Sequence, residues 1–202
     1  MCNRPIRGLF GIGQGRKALE FDKIVDIHAP IEEVFRLWSD FSSFPRFLTH
    51  VCEVRVTDSR SHWVVEGPAG TRVSWDAELT RFEKNRLIAW RSLPGEIIGN
   101  AGIIRFEPLP DGATRLHIHL SYNPPGGVLG HTIAALFGKD PQRALDDDLV
   151  RFKSLLEQGK ATGRGRQIHI EDLTGEGFTG HEPEAAKASK DQGQPSAPKT
   201  FH

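Results

Sequence analysis

The sequence predicts an α+β domain over about residues 20 to 159, in which an antiparallel sheet of about seven strands packs against a long C-terminal helix. Three observations predict this class. Apolar and polar residues alternate in several short segments, as in half-buried strands. Turn signals separate these segments closely enough for hairpins. Finally, four apolar residues near the end of the domain recur at the spacing of one helix face.

The chain is expected to begin with one strand and two short helices. Phe21, Val25 and Ile27 alternate with polar neighbours, so they predict the first strand. Pro30 suits the first turn of a helix, and the acidic residues 32–33 favour the same end of its dipole. A second short helix or turn is expected over residues 39–47.

Six further strands are expected to follow as an antiparallel meander. Turn signals lie at Gly67-Pro68-Ala69-Gly70, at Lys84-Asn85 and at Pro110-Asp111-Gly112. Because such short turns join neighbouring strands, the strands should pair in chain order. The predicted strands include residues 52–56, 63–66, 72–79, 87–91, 104–106 and 116–122.

The last part of the domain is expected to be helical. Residues 128–137 form one predicted piece, with Gly138 as its cap. Asp140-Pro141 then resembles a fresh helix start, with an N-cap acid before a proline. The helix should run to about Glu157. Its apolar stripe consists of Leu145, Leu149, Phe152 and Leu156.

Both ends of the chain are expected to lie outside the domain. Residues 1–19 are glycine-rich and basic, and they suggest a flexible leader. Residues 160–202 carry many glycines and prolines and no sustained apolar periodicity, so they are expected to be a disordered tail. Within that tail, the short apolar piece Ile168-His169-Ile170 could dock locally.

Composition argues against several classes of partner. Lysine plus arginine number 26, as do aspartate plus glutamate, so no net positive charge is available to hold nucleic-acid phosphates. No segment reaches the roughly 18 to 20 apolar residues that span a bilayer. Cys2 lies near the terminus, so a disulfide with Cys52 is not expected. These features predict a cytoplasmic protein that does not bind nucleic acid.

Several segments resemble one known superfamily. They are Trp38-Ser39-Asp40-Phe41, Phe44-Pro45-Arg46-Phe47, residues 61–65, 73–78 and 87–92, Asn100-Ala101-Gly102 and Arg105-Phe106. Over about residues 20–159 the chain resembles START-like proteins of the polyketide cyclase/dehydratase and coenzyme Q-binding type, within the SRPBCC superfamily. The resemblance implies a helix-grip fold, shared with the birch pollen allergen, whose curved sheet surrounds the C-terminal helix. It also implies a cavity for a hydrophobic small molecule between sheet and helix.

Strand alternation sorts the predicted sheet into two faces. The face that should meet the last helix is apolar, whereas the opposite face should carry charged residues together with His117 and His119. The predicted inward residues are Cys52, Val54, Val56, Val73, Trp75, Ala77, Leu79, Ile88, Trp90, Ile104, Phe106, Ile118, Leu120 and Tyr122, with Asn100 and Gly102 in the same alternation as Ile104.

A wall of large apolar residues with few polar groups suits an apolar ligand held in one orientation. The predicted ligand-binding residues are Trp75, Trp90, Asn100 and Tyr122, with Phe44, Phe47 and residues 124–130 near the mouth of the cavity. Asn100 or Tyr122 would orient the ligand by a hydrogen bond. The alternative is a filled core, in which Trp75 and Trp90 are packing residues only.

Other motifs are expected to be structural. His117 and His119 share one strand face but lack the further ligands of a zinc site. The glycine-rich run at residues 11–15 lacks the flanking strand and helix of a dinucleotide-binding loop. The acidic run at residues 146–148 points in several directions around a helix, and Cys52 is expected to be a buried small hydrophobe. No metal, cofactor or catalytic residue is predicted.

Two functions remain open, beside a purely structural interaction module. The favoured one is non-catalytic binding or transport of a quinone, lipid or polyketide-like molecule. The other is an aromatase/cyclase-type enzyme acting on a polyketide chain, which needs acid or base groups inside. Only Tyr122, with His50 and His131 near the mouth, could supply them. The resemblance leaves a peripheral membrane contact open, and the sequence does not indicate an oligomeric state.

Overall fold

The computed structural model describes residues 19–66, 70, 72–96, 98–123, 141–163 and 165–173. Predictions that fall on other residues lie outside this description. They are the leader at residues 1–18, most of the turn at residues 67–70, the cavity mouth at residues 124–130, His131, the helical piece at residues 128–137 with its Gly138 cap, the Asp140 N-cap and the tail at residues 174–202.

Seven strands form one antiparallel sheet, as predicted. They are β1 Leu19–Ile27, β2 Val51–Thr57, β3 Arg60–Glu66, β4 Arg72–Glu83, β5 Leu87–Ser92, β6 Gly99–Pro108 and β7 Thr114–Asn123. Strands β2 to β7 lie side by side in chain order, and β1 pairs with β7. As a result, β1 and β2 lie at opposite edges of the sheet.

Two short helices and a 3-10 turn carry the chain from one edge of the sheet to the other. They are α1 Ile31–Ser39, the 3-10 turn Phe41–Ser43 and α2 Phe44–Phe47. Pro30 directly precedes α1, and the acidic residues 32–33 lie in its first turn, where they favour the helix dipole. The buried ring of Phe35 packs edge-on against Phe106 of β6, at a centroid distance of 5.0 Å. This contact holds α1 against the sheet.

Helix α3, Pro141–Gln158, buries one face against the main hydrophobic core. Leu149 and Phe152 of the predicted stripe are buried, and its two outer members pack against the core while partly exposed. Leu155, which the stripe did not include, is 0% exposed. The prediction of one amphipathic C-terminal helix is confirmed, with Leu155 added to its apolar face. Within the described parts of the chain, every helix is too short or too polar to cross a bilayer.

The segment after α3 corrects the predicted start of the tail. Residues 160–163 and 166–169 pair as a small hairpin of β8 Lys160–Gly163 and β9 Arg166–His169, followed by α4 Ile170–Leu173. Ala161, Ile168 and Leu173 are buried in the main core. The expectation of disorder from residue 160 is therefore wrong as far as residue 173. Each four-residue strand offers only one or two inward side chains, too few to give a visible periodicity.

Two predicted inward residues of β2 are not buried in the core. The register of β2 against β3 shifts between Val51 and Glu53, so Val51 takes an inward position and Cys52 does not. Cys52 is half-buried, and its Sγ lies 3.5 Å from Oε2 of Glu66. It is therefore not a buried hydrophobe. Val56 is 48% exposed, because it lies on this edge strand beyond the main core.

Candidate functional site

An aromatic cluster lies between the helices and one half of the sheet. It comprises Phe41, Phe44, Trp63, Trp75 and Trp90. Trp63 and Trp75 pair across β3 and β4, and their rings stack at 6.2 Å with an interplanar angle of 6°. The ring centroid of Phe41 lies 5.8 Å from that of Trp63 and 6.4 Å from that of Trp90. The ring centroid of Phe44 lies 5.9 Å from that of Trp63. The cluster thus connects the helical segment to three neighbouring strands.

Trp90 owes its position to a glycine on the next strand. Gly102 is the cross-strand partner of Trp90, and a Cβ added to it would lie 2.3 Å from Cζ2 of the indole. Any other residue type would displace the ring. The Trp90 indole Nε1 donates a hydrogen bond to Oδ1 of Asn100 at 2.9 Å. Ser92 fixes the backbone of Asn100, because its hydroxyl accepts from the amide N–H at 2.8 Å.

Tyr122 lies next to Asn100, as its cross-strand partner between β6 and β7. The residue is 3% exposed, and burial raises the pKa of its hydroxyl to about 12. Burial has this effect because it disfavours the charged phenolate. Tyr122 is therefore protonated at neutral pH, when it can form hydrogen bonds but cannot act as a base.

The predicted ligand-binding residues are brought together in part. Trp75, Trp90 and Phe44 belong to the aromatic cluster, Asn100 is bonded to Trp90, and Tyr122 neighbours Asn100. Phe47 is different: it is 1% exposed and packs 6.0 Å from Phe152 of α3. The structure places both phenylalanines within the core, whereas the sequence suggested a position at the cavity mouth.

Trp63 was not predicted to face inward. Counting outward from the predicted turn at residues 67–70 pairs Trp63 with Ser74. The observed register is shifted by one residue and pairs Val65 with Val73 and Trp63 with Trp75. Trp63 faces inward because cross-strand partners share a face of the sheet and Trp75 faces inward, but this pairing could not be read from the turn alone.

Few polar groups are buried in the described residues. The buried polar residues are Ser43, Thr114 and Ser121, none of which titrates near neutral pH. The Ser43 hydroxyl donates to the carbonyl of Asp40, and the Thr114 hydroxyl donates to the carbonyl of Ala29. These hydroxyls satisfy backbone groups. The described interior is therefore predominantly apolar.

The opposite face of the sheet is charged, as predicted. His117 Nε2 lies 3.0 Å from a carboxylate oxygen of Glu107, and His119 Nδ1 lies 2.7 Å from a carboxylate oxygen of Asp22. Arg91 pairs with Glu78 at 2.8 Å. Such exposed pairs contribute little to stability and mark a solvated surface.

The acidic run at residues 146–148 is only partly a solvated face. Oδ1 of Asp148 accepts a hydrogen bond from the Thr49 backbone N–H at 3.2 Å, and pairs with Arg151 at 2.6 Å. Burial raises the pKa of Asp148, although these two neighbours partly oppose the shift. Asp148 thus anchors the start of β2 to α3, a structural role that the sequence did not predict.

Two surface clefts lie away from the predicted ligand residues. One, of about 710 Å³, lies on the charged sheet face, with Leu87 and Ile103 among its lining residues. The other, of about 240 Å³, lies between His50 and α3. Neither is lined by a predicted ligand-binding residue.

Comparisons with known proteins agree with this geometry. The family described as polyketide cyclase / dehydrase and lipid transport matches residues 27–150. A solved structure from Deinococcus radiodurans is 39% identical, with a TM-score of 0.57, over 70% of this chain and 98% of that one. A START superfamily protein from Mycobacterium smegmatis is 19% identical, with a TM-score of 0.55, over 69% and 97%. The latter likeness concerns the fold alone.

A curated relative extends the match at the sequence level. It is an uncharacterized 17.2 kDa protein of Streptomyces lincolnensis, 28% identical over 153 residues, which are 72% of this chain and 95% of the relative. Fold and lining together define a START-like helix-grip protein with an aromatic interior. The chain belongs to the polyketide cyclase/dehydrase and lipid transport family, so the resemblance found in the sequence is confirmed.

Proposed function

We propose that this protein binds a hydrophobic small molecule between the sheet and α3, and carries it without chemical change. The observation that supports this most is the aromatic cluster, whose stacked Trp63 and Trp75 continue through Phe41 to Trp90. Flat apolar rings offer large contact areas to a planar or chain-like ligand. Burial of such surface contributes about 25 cal/mol per Å² before the costs of association.

Asn100 would orient the ligand. Its Oδ1 already accepts from Trp90, and its backbone is held by Ser92, so the side chain has a defined direction. The amide Nδ2 is then the group that can donate to an oxygen of the ligand. Tyr122 would add a hydroxyl that stays protonated at neutral pH, because its pKa is about 12.

The apolar lining and the protonated Tyr122 hydroxyl favour ligand transport over catalysis. A cyclase needs a group that removes a proton, and such a base works best when its pKa lies near the working pH. Tyr122 does not meet this requirement. The family includes polyketide cyclases and dehydrases, and the aromatase/cyclase alternative would need an acid or base that the described interior does not show.

Quinones, lipids and polyketide-like molecules are the ligand classes that we propose. Release to or capture from a membrane surface would be a natural step for such cargo. We propose that the protein acts in the cytoplasm. We do not expect it to bind nucleic acid, since its positive and negative charges balance.

Calorimetric titration with an alkyl-substituted naphthoquinone and with a long-chain fatty acid tests this proposal. We expect saturable binding of at least one ligand. Trp75→Ala should raise the Kd roughly tenfold, which corresponds to about 1.4 kcal/mol, because it removes one face of the stacked pair.

Val150→Ala is the matched control, since Val150 is 66% exposed on the outer side of α3. This variant should leave the Kd unchanged. Absence of binding for both ligand classes to the folded wild-type protein, at concentrations up to their solubility, would overturn the proposal.

A further inference from the structure

Trp38 of α1 carries a buried hydrogen-bond donor. Its indole Nε1 is inaccessible to solvent and has no hydrogen-bond partner within the described residues. The ring packs edge-on against Phe152 of α3 at 4.7 Å and against Phe44 of α2 at 6.2 Å. The donor therefore lies in an apolar environment where three helices meet.

Two other tryptophans show what a satisfied indole looks like in this interior. Trp63 Nε1 donates to the hydroxyl of Ser61 at 2.8 Å, and Trp90 Nε1 donates to Asn100 at 2.9 Å. Buried polar groups in folded proteins nearly always have a hydrogen-bond partner, because a buried group left without one has lost its hydrogen bond to water and gained none in return. Trp38 departs from this pattern. Its indole N–H is therefore a donor that an acceptor on a bound molecule could satisfy.

Trp38 also lies next to the proposed ligand site. Phe44, a member of the aromatic cluster, packs against both Trp38 and Trp63. A ligand that contacts the cluster at Phe44 would therefore lie beside the indole. The position is distinct from Asn100, which reaches the cluster from the sheet through Trp90.

We propose that Trp38 Nε1 donates a hydrogen bond to a carbonyl-type oxygen of the bound ligand. This inference rests on the proposed function and narrows it. The natural ligand would be a ketone- or quinone-bearing molecule, and a plain hydrocarbon chain would leave the indole unsatisfied. Trp38 would then set ligand specificity from the helices, while Asn100 contacts the ligand from the sheet.

Fluorenone and fluorene form a suitable pair of probes, because they share one ring skeleton and differ by a carbonyl oxygen. Their Kd values are measured by equilibrium dialysis with wild-type protein and with Trp38→Phe, which keeps an aromatic ring but removes the N–H. We expect the wild type to prefer fluorenone, and the substitution to lower that preference roughly tenfold. Trp63→Phe is the control, since it removes an indole N–H that already has Ser61 as its partner. This control should keep the preference, even if both probes bind more weakly.

Nitrogen-15 NMR of the wild-type protein gives a readout that does not need a folded variant. The chain has four tryptophans and so four indole N–H signals. Fluorenone should move the Trp38 signal downfield, as a new hydrogen bond does, and fluorene should not.

Equal affinities for the two probes, or a preference that survives in Trp38→Phe, would overturn this inference and leave the proposed function intact. A Trp38 indole signal that does not shift when the protein is saturated with fluorenone would also overturn this inference, while the proposed function would stand. If the folded protein binds neither these probes nor the fatty acid and naphthoquinone above, the proposed function itself fails.

Discussion

Single residues determine how the tryptophans lie in the interior. Gly102 provides the space for Trp90, and Trp90 in turn fixes the amide of Asn100. Sequence alternation placed all three on the inward face, and the structure confirms that they share it. Alternation could not show that the glycine and the indole are direct partners, because that depends on the register between β5 and β6.

Gly102→Ala should therefore displace Trp90. The added Cβ would lie 2.3 Å from the indole, so the ring or the strand must move. We expect a loss of about 1 to 3 kcal/mol in the free energy of unfolding, as for other overpacked cores. Chemical denaturation measures this loss.

A double-mutant cycle with Trp90→Phe provides the control. The smaller ring leaves room for the Cβ, so Gly102→Ala should cost much less in that background. Equal costs in both backgrounds would show that Gly102 is required for another reason.

The secondary-structure elements differ in how well the sequence predicts them. The seven strands and α3 were predicted because their periodicity or their turns are local signals. The bulge at Cys52 was not, since an extra residue in one strand leaves no mark on composition. The hairpin of β8 and β9 was missed because its strands are short, although Ile168 had been noted as an apolar residue that could dock.

Leu149→Asp tests the packing of α3. Leu149 is buried against the hydrophobic core, so the substitution places a charge in an apolar environment. We expect a loss of more than about 3 kcal/mol in the free energy of unfolding, enough to prevent stable folding. Circular dichroism and thermal melting would measure this loss. Val150→Asp, one residue along and 66% exposed, should fold normally. A cooperative wild-type melt for Leu149→Asp would show that this face of α3 is misplaced.

Truncation tests the hairpin. A chain that ends after Gly159 loses buried Ala161, Ile168 and Leu173 and should lose about 3 kcal/mol or more. This corresponds to a fall of roughly 6 to 12 °C in Tm. A chain that ends after Leu173 should melt within a few degrees of the full protein, if residues 174–202 contribute no apolar face. Calorimetric melting of both truncated chains separates the contribution of residues 160–173 from that of residues 174–202. Equal Tm values for the two truncated chains and the full-length protein would contradict the stabilising role of the hairpin.

At the scale of the whole molecule, the order of the strands explains where a ligand could bind. Because β1 and β2 lie at opposite edges, the helical segment between them must pass across the sheet, and α3 packs on the same core. The sequence predicted this architecture from the order of its elements, and family membership supports it. It did not predict that Phe44 and Phe47 would be buried, since their depth depends on how α2 packs against Trp63 and α3.

The central claim is that the interior of this domain holds an apolar molecule, and native mass spectrometry of protein purified from its own host tests it most directly. We expect a bound species that survives gentle ionisation, is released on denaturation and extracts into organic solvent as a carbonyl-bearing compound. Trp75→Ala, purified in parallel, should retain less of it. A wild-type protein that shows only its own mass, and that takes up neither an alkyl naphthoquinone nor a fatty acid when these are added, would contradict the account.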